Sequence, residues 1–124
     1  MAVVRSRWIA PVLWAVLIEI LTSWPNPPSP GFLPAGSDKV IHFKLYAVFA
    51  FLVARAVHAG QPQWRVLAAV AVALFAWGAA DEWHQKFIPG RGADVADWAA
   101  DSVGVLAGLA LRRAWAARQI LRTV

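Results

Sequence analysis

The feature that most constrains this chain is a run of four apolar stretches, at 8–24, 40–59, 64–80 and 95–115, within only 124 residues. A helix needs roughly 17–25 mostly apolar residues to cross a bilayer, so each stretch can serve as a span, the first and third only just. Trp8, Trp24, Trp64, Trp83, Trp98 and Trp115 fall near stretch ends, as aromatic residues at a membrane interface do; Trp14 and Trp77 do not. Hydrophobic residues make up 60% of the chain and charged residues 15%, against about 45–50% and about 25% in soluble domains. A soluble fold would leave much of that apolar surface in water. The expectation is an all-α, polytopic membrane protein, a single domain over 1–124 forming a four-helix transmembrane bundle. Arg5 and Arg7 ahead of the first stretch would also suit a signal peptide. The segment that follows, Trp24-Pro25-Asn26-Pro27-Pro28-Ser29-Pro30, has no clear cleavage pattern, which favours an uncleaved helix. The absence of cysteine excludes disulfides, thiol catalysis and cysteine-ligated metal.

Charge then gives an orientation. With four spans, Arg5, Arg7, Arg55, Arg65, Arg112, Arg113, Arg118 and Arg122 fall on one side. Only Lys39, Lys44, Lys86 and Arg91 fall on the other. The positive-inside rule places both termini in the cytoplasm. All seven acids, Glu19, Asp38, Asp81, Glu82, Asp94, Asp97 and Asp101, map to the outer half. This sorting accounts for most of the basic isoelectric point of about 10.8 without a nucleic-acid partner. Gly60-Gln61-Pro62-Gln63 reads as a tight inner turn. The segment 25–37, with five prolines, reads as a stiff outer loop.

Ionisable groups in or beside membrane helices are costly and ask for a reason. Asp38, His42 and Tyr46 recur at four-residue spacing, along one helix face, with Lys39 beside them. Asp38 also suits the cap of a helix start, and a cap plus interfacial polar residues would explain this group without a site. Asp81-Glu82, His84-Gln85 and Lys86 follow the third stretch, before Pro89-Gly90 turns the chain and presents Arg91, a residue type that clamps carboxylate or phosphate. Asp94, Asp97 and Asp101 share one face at the start of the fourth stretch. They are expected to face the bundle and meet Arg91, Lys39, Lys86 or His42. Gly104 and Gly108 form a Gly-x-x-x-Gly pattern suited to close helix packing and offer a surface for a homo-oligomer. Glu19 stands alone in the first stretch, available to His42, Lys44 or a proton.

Asp81-Glu82, Gln85, Phe87, Pro89-Gly90-Arg91, Asp97, Asp101, Gly104 and Gly108, preceded by Asp38-Lys39-x-x-His42 and Tyr46, strongly resemble the VanZ-like family. The resemblance covers about residues 38–108. It implies a small integral membrane protein of a family named for a protein linked to resistance to the glycopeptide teicoplanin. Carried over, it makes Asp38, Lys39, His42, Tyr46, Asp81, Glu82, Gln85, Pro89, Gly90, Arg91, Asp97 and Asp101 the candidate site. Asp101 departs from the family pattern, which often has Asn there.

The leading expectation is a cell-membrane protein whose site faces the periplasm or cell exterior and binds or processes an anionic lipid or lipid-linked envelope precursor. Lys39, Tyr46, Asp81, Gln85, Arg91 and Asp101 would bind. His42, Asp38, Glu82 and Asp97 would carry any acid–base step. A small proton-coupled transporter using Glu19 is a second reading. A structural protein whose ion pairs only fix helix register is a third. No cofactor is expected. The oxygen and imidazole donors Asp81, Glu82, His84, Asp97 and Asp101 lack a tight ligand spacing such as His-Glu-x-x-His, so no metal is assigned.

Overall fold

The structure, a computed structural model, describes residues 2–27 and 34–122. The middle of the Pro-rich segment, 28–33, which the sequence reads as an outer loop, and the side chain of Arg5 lie outside the described residues. Among those described there are four helices and no strand: α1 (Ala2–Thr22), α2 (Ser37–Val57), α3 (Trp64–Gln85) and α4 (Val95–Arg122). The chain runs up and down, so α1 and α3 point one way and α2 and α4 the other. Two of the four, α2 and α3, are long and apolar enough to cross a membrane. The sequence expectation was four. In α4 the charges of Asp97, Asp101, Arg112 and Arg113 fall inside the apolar stretch, which keeps that helix from meeting the same standard.

Large apolar side chains are exposed on every helix, among them Val12, Leu13 and Val16 on α1, Val40 and Ile41 on α2, Val72 on α3, and Leu106 and Leu111 on α4. Apolar surface on this scale marks a membrane or partner surface. The core lies on the inward faces: Ile18 from α1, Tyr46, Phe49, Ala50 and Ala54 from α2, Val70, Ala71 and Leu74 from α3, and Val105 and Leu109 from α4. Two indole N–H groups tie neighbouring helices through backbone carbonyls. Trp14 Nε1 donates to Leu45 O at 2.8 Å, joining α1 to α2. Trp98 Nε1 donates to Phe75 O at 3.0 Å, joining α4 to α3.

The tightest helix pair is α2 with α4, two parallel helices. Gly104 sits on the backbone of Phe43 and Gly108, one turn later, on that of Ala47, so close that a Cβ at either glycine would collide with the carbonyl opposite. The surface that the sequence offered to a homo-oligomer through Gly104 and Gly108 is thus occupied by α2 of the same chain. Beyond this contact, toward the C-terminal end of α4, Arg112 is fully buried. Its Nη2 lies 2.8, 3.0 and 2.8 Å from the carbonyls of His58, Ala59 and Gly60, which follow the end of α2. A cation there complements the negative end of the helix dipole.

Gly104→Ala is expected to destabilise the fold by about 1–3 kcal/mol, the usual cost of overpacking. Gly92→Ala, where a Cβ would meet open space, should leave stability unchanged. Thermal melting in detergent checks this; equal midpoints for the two variants would refute the close α2–α4 approach.

Candidate functional site

The acidic end of the molecule is assembled by two turns and two helix starts. Pro34 to Ser37 form a turn closed by Ser37 N–H to Pro34 O at 3.2 Å, with Gly36 at φ 85°, a left-handed value that favours glycine. Gly36 is the N-cap of α2. Asp38 lies in the first turn beyond it, not at the cap expected from the sequence. The second turn, Ile88 to Arg91, is closed by Arg91 N–H to Ile88 O at 3.0 Å. Pro89 and Gly90, the latter at φ 75°, fill its central positions as in a type II turn. A Cβ on Gly90 would strike Asn26, whose N–H donates to Pro89 O at 2.9 Å. The C-terminal ends of α1 and α3 are thereby fastened together. Asp94 starts α4: its Oδ1 accepts from Ala96 N–H at 2.8 Å, an N-cap arrangement. Its own N–H donates to Glu82 Oε2 at 2.9 Å.

On this frame Lys39 meets three carboxylates. Its Nζ lies 2.5 Å from Asp97 Oδ1, 2.7 Å from Asp94 Oδ2 and 2.9 Å from Asp38 Oδ2. An ammonium has three N–H donors, so this one is fully used. One turn further along α2, His42 places Nδ1 2.9 Å from Asp101 Oδ1 and Nε2 3.9 Å from Asp97 Oδ2. The Asp101 side chain is only 2% exposed and the His42 side chain 12%. Of the partners that the sequence offered to the α4 acids, the structure uses Lys39 and His42. Lys86 is exposed.

Asp81, Glu82 and Gln85 are buried at the end of α3. Gln85 Nε2 lies 3.4 Å from Glu82 Oε1. Thr22, which sequence reasoning missed, reaches Asp81 Oδ1 at 2.9 Å and its own helix at Ile18 O at 3.0 Å. Tyr46 is buried between the two halves of the site. Its Oη, Asp81 Oδ2 and Asp101 Oδ2 are buried without a hydrogen-bond partner among the described residues. Glu19 does not meet His42 or Lys44. It joins Asp81 and His84 in a cluster whose ligand atoms lie within 4.8 Å of one another.

Among the described residues Arg91 pairs with no acid. Its Nη2 donates to Leu21 O at 2.6 Å and its Nε to Trp24 O at 3.1 Å, holding the end of α1. It also lines a cavity of about 730 Å³ with His42, Asp38, Thr22, Ile41 and Leu45. The cavity therefore has polar groups from α2 and the 88–91 turn and apolar walls from α1 and α2. The carbonyls that hold Arg91 could not be read from residue types, because main-chain acceptors leave no such signature.

A helical protein with exposed apolar flanks, two helices fit to cross a membrane and an acid-rich, partly buried polar end is a membrane protein by class. Residues 6–116 match the family described as VanZ/LLP1, and the chain belongs to that family. Comparison with curated proteins and with solved structures finds no match.

The Lys39 ammonium holds the Asp94 carboxyl below the usual carboxylate range, aided by the Ala96 N–H. A depressed folded-state value stabilises the fold above the unfolded value of about 3.9, and that contribution is lost as pH falls through the folded value. In Lys39→Gln the Asp94 titration should move up toward about 3.9. NMR titration of the side-chain carboxyl measures it. An unmoved midpoint would mean that Lys39 does not set the ionisation of Asp94.

Proposed function

We propose that this chain is a single-domain, multi-pass protein of the cell membrane, its four helices crossing and both termini cytoplasmic. Its outer end binds the polar head of an anionic lipid or lipid-linked envelope precursor. The separation of charge supports the orientation: the acids gather where α2 and α4 start, and Arg55, Arg65, Arg112 and Arg113 lie toward the opposite end. The observation that carries the binding reading is the cavity of about 730 Å³. It sets Arg91, His42 and Asp38 beside Leu21, Ile41 and Leu45, so a head group and the start of a lipid chain find matching walls in one space. Arg91 is fixed by two nitrogens on carbonyls, which leaves Nη1 for an anionic oxygen. Such a contact suits a guanidinium. Should the head group be processed, His42, oriented by Asp101, has the position of a general acid or base. The family's link to glycopeptide resistance fits a site that meets an envelope precursor.

The Glu19–Asp81–His84 cluster favours one other reading. Glu19 also lines an apolar groove of about 660 Å³ between α1 and its neighbours, with Val12, Val16, Leu74 and Trp77. A proton-coupled transporter would use this carboxyl, and Glu19→Gln should then abolish function while leaving lipid retention intact.

Native mass spectrometry of the full chain extracted with its surrounding lipid tests the main reading. Wild type is expected to retain a phosphorylated lipid. Ile41→Trp, which narrows the cavity without removing a charge, and His42→Ala should each lower retention at least about tenfold, as loss of a well-placed contact worth about 1.4 kcal/mol would do. Equal retention in all three proteins, or none in wild type, would overturn the proposal.

A further inference from the structure

We propose that His42, Glu82 and Asp101 form a binding site for a divalent first-row transition-metal ion, such as zinc or manganese. This goes beyond the lipid reading and does not depend on it. The three residues come from α2, α3 and α4, and each offers one ligand atom within 4.8 Å of the other two. Ligands about 2.1 Å from a common ion stand roughly 3–4.2 Å apart, so small side-chain adjustments close the site.

Charge gives the second argument. Asp81, Glu82 and Asp101 are three carboxylates buried near one another. The cations nearby are engaged elsewhere. Lys39 gives its three N–H groups to Asp38, Asp94 and Asp97, and Arg91 gives Nε and Nη2 to carbonyls. Among the described residues, His42 faces Glu82 and Asp101, while the exposed His84 lies beside Asp81. Buried charges are paired or coordinate metals, and a dication supplies the missing partner.

The third argument is local. Asp101 Oδ2 is buried and has no hydrogen-bond partner among the described residues, in a side chain 2% exposed. The surroundings already resemble an outer coordination shell. Asp94 N–H and Gln85 Nε2 orient the two oxygens of Glu82. His42 Nδ1 is 2.9 Å from Asp101 Oδ1 and Nε2 is 3.9 Å from Asp97 Oδ2, so with Nδ1 on the ion a small approach of Asp97 would let its carboxylate accept from Nε2, the partner that metal-bound histidines usually have. One imidazole with two carboxylates selects a transition ion over calcium or magnesium, which take oxygen ligands. His42 also lines the outer cavity, so a remaining coordination position would open toward it.

The Glu19–Asp81–His84 cluster is the competing site. Its histidine is exposed, and Asp81 Oδ1 is engaged by Thr22, so it makes the weaker cage. The full chain in detergent, stripped with chelator and titrated with Zn²⁺ or Mn²⁺, should bind one ion. Glu82→Gln and Asp101→Asn, which keep side-chain shape, should weaken it at least about tenfold, the scale seen for altered metal shells. Glu19→Gln should bind as wild type. Pulsed EPR of bound Mn²⁺ should show an imidazole nitrogen that disappears in His42→Gln, a readout that a general loss of folding does not mimic. No ion in wild type, unaltered affinity in Glu82→Gln, or loss only in Glu19→Gln would each overturn the assignment. Lipid retention plays no part in these readouts.

Discussion

The close contact of α2 with α4 is the constraint on which the polar end depends. Gly104 and Gly108 let α4 rest directly on the backbone of Phe43 and Ala47. Because the two helices run parallel, that contact sets their register for the turns before it. Lys39 then arrives beside Asp97, and His42 beside Asp101. A larger residue at either glycine would lift α4 away and separate both pairs. Small residues at a helix contact usually serve packing; here the packing also places the chemistry.

Around that contact the charges divide their work. Lys39 gathers three carboxylates at the rim, and Asp94 adds a helix cap and a brace for Glu82. Deeper in, the acids outnumber the bases: His42 stands with Glu82 and Asp101, and the exposed His84 beside Asp81. Pairs at the exposed rim contribute little to stability in general, whereas uncompensated buried carboxylates are costly. The polar end is thus better suited to holding something than to holding the helices together. The core of Ile18, Tyr46, Phe49, Val105 and Leu109 does the latter.

Much of this was legible in the sequence because it rests on periodicity. Apolar stretches fixed the number of helices, and four-residue spacing put Asp38, His42 and Tyr46 on one face and Asp97 with Asp101 on another. Residue type then suggested Lys39 and His42 as partners for the acids. What escaped reading has a common cause: main-chain atoms and single hydroxyls carry no pattern. Arg91 looked like an anion clamp, yet two of its nitrogens hold carbonyls of α1 and its end. Arg112 entered only the sorting of charge by side, and it is buried on three carbonyls. Thr22, a hydroxyl in the first apolar stretch, drew no reading and reaches Asp81. Glu19 was aligned with the wrong cations because helix rotation about α1 cannot be read from a single polar residue.

The burial of Asp101 and Arg112 has a consequence for how the molecule meets lipid. Along α4 they stand eleven residues apart, roughly 16 Å at the rise of an α-helix, while a bilayer's hydrocarbon layer is about 30 Å thick. Charges facing outward at that spacing would force the bilayer to thin sharply around the protein. These two are 1% and 0% exposed, turned into the protein. In a membrane-crossing α4, Val103, Leu106 and Leu111 would face lipid between them, and the bilayer would keep its full thickness while the protein keeps two ionisable groups at depth.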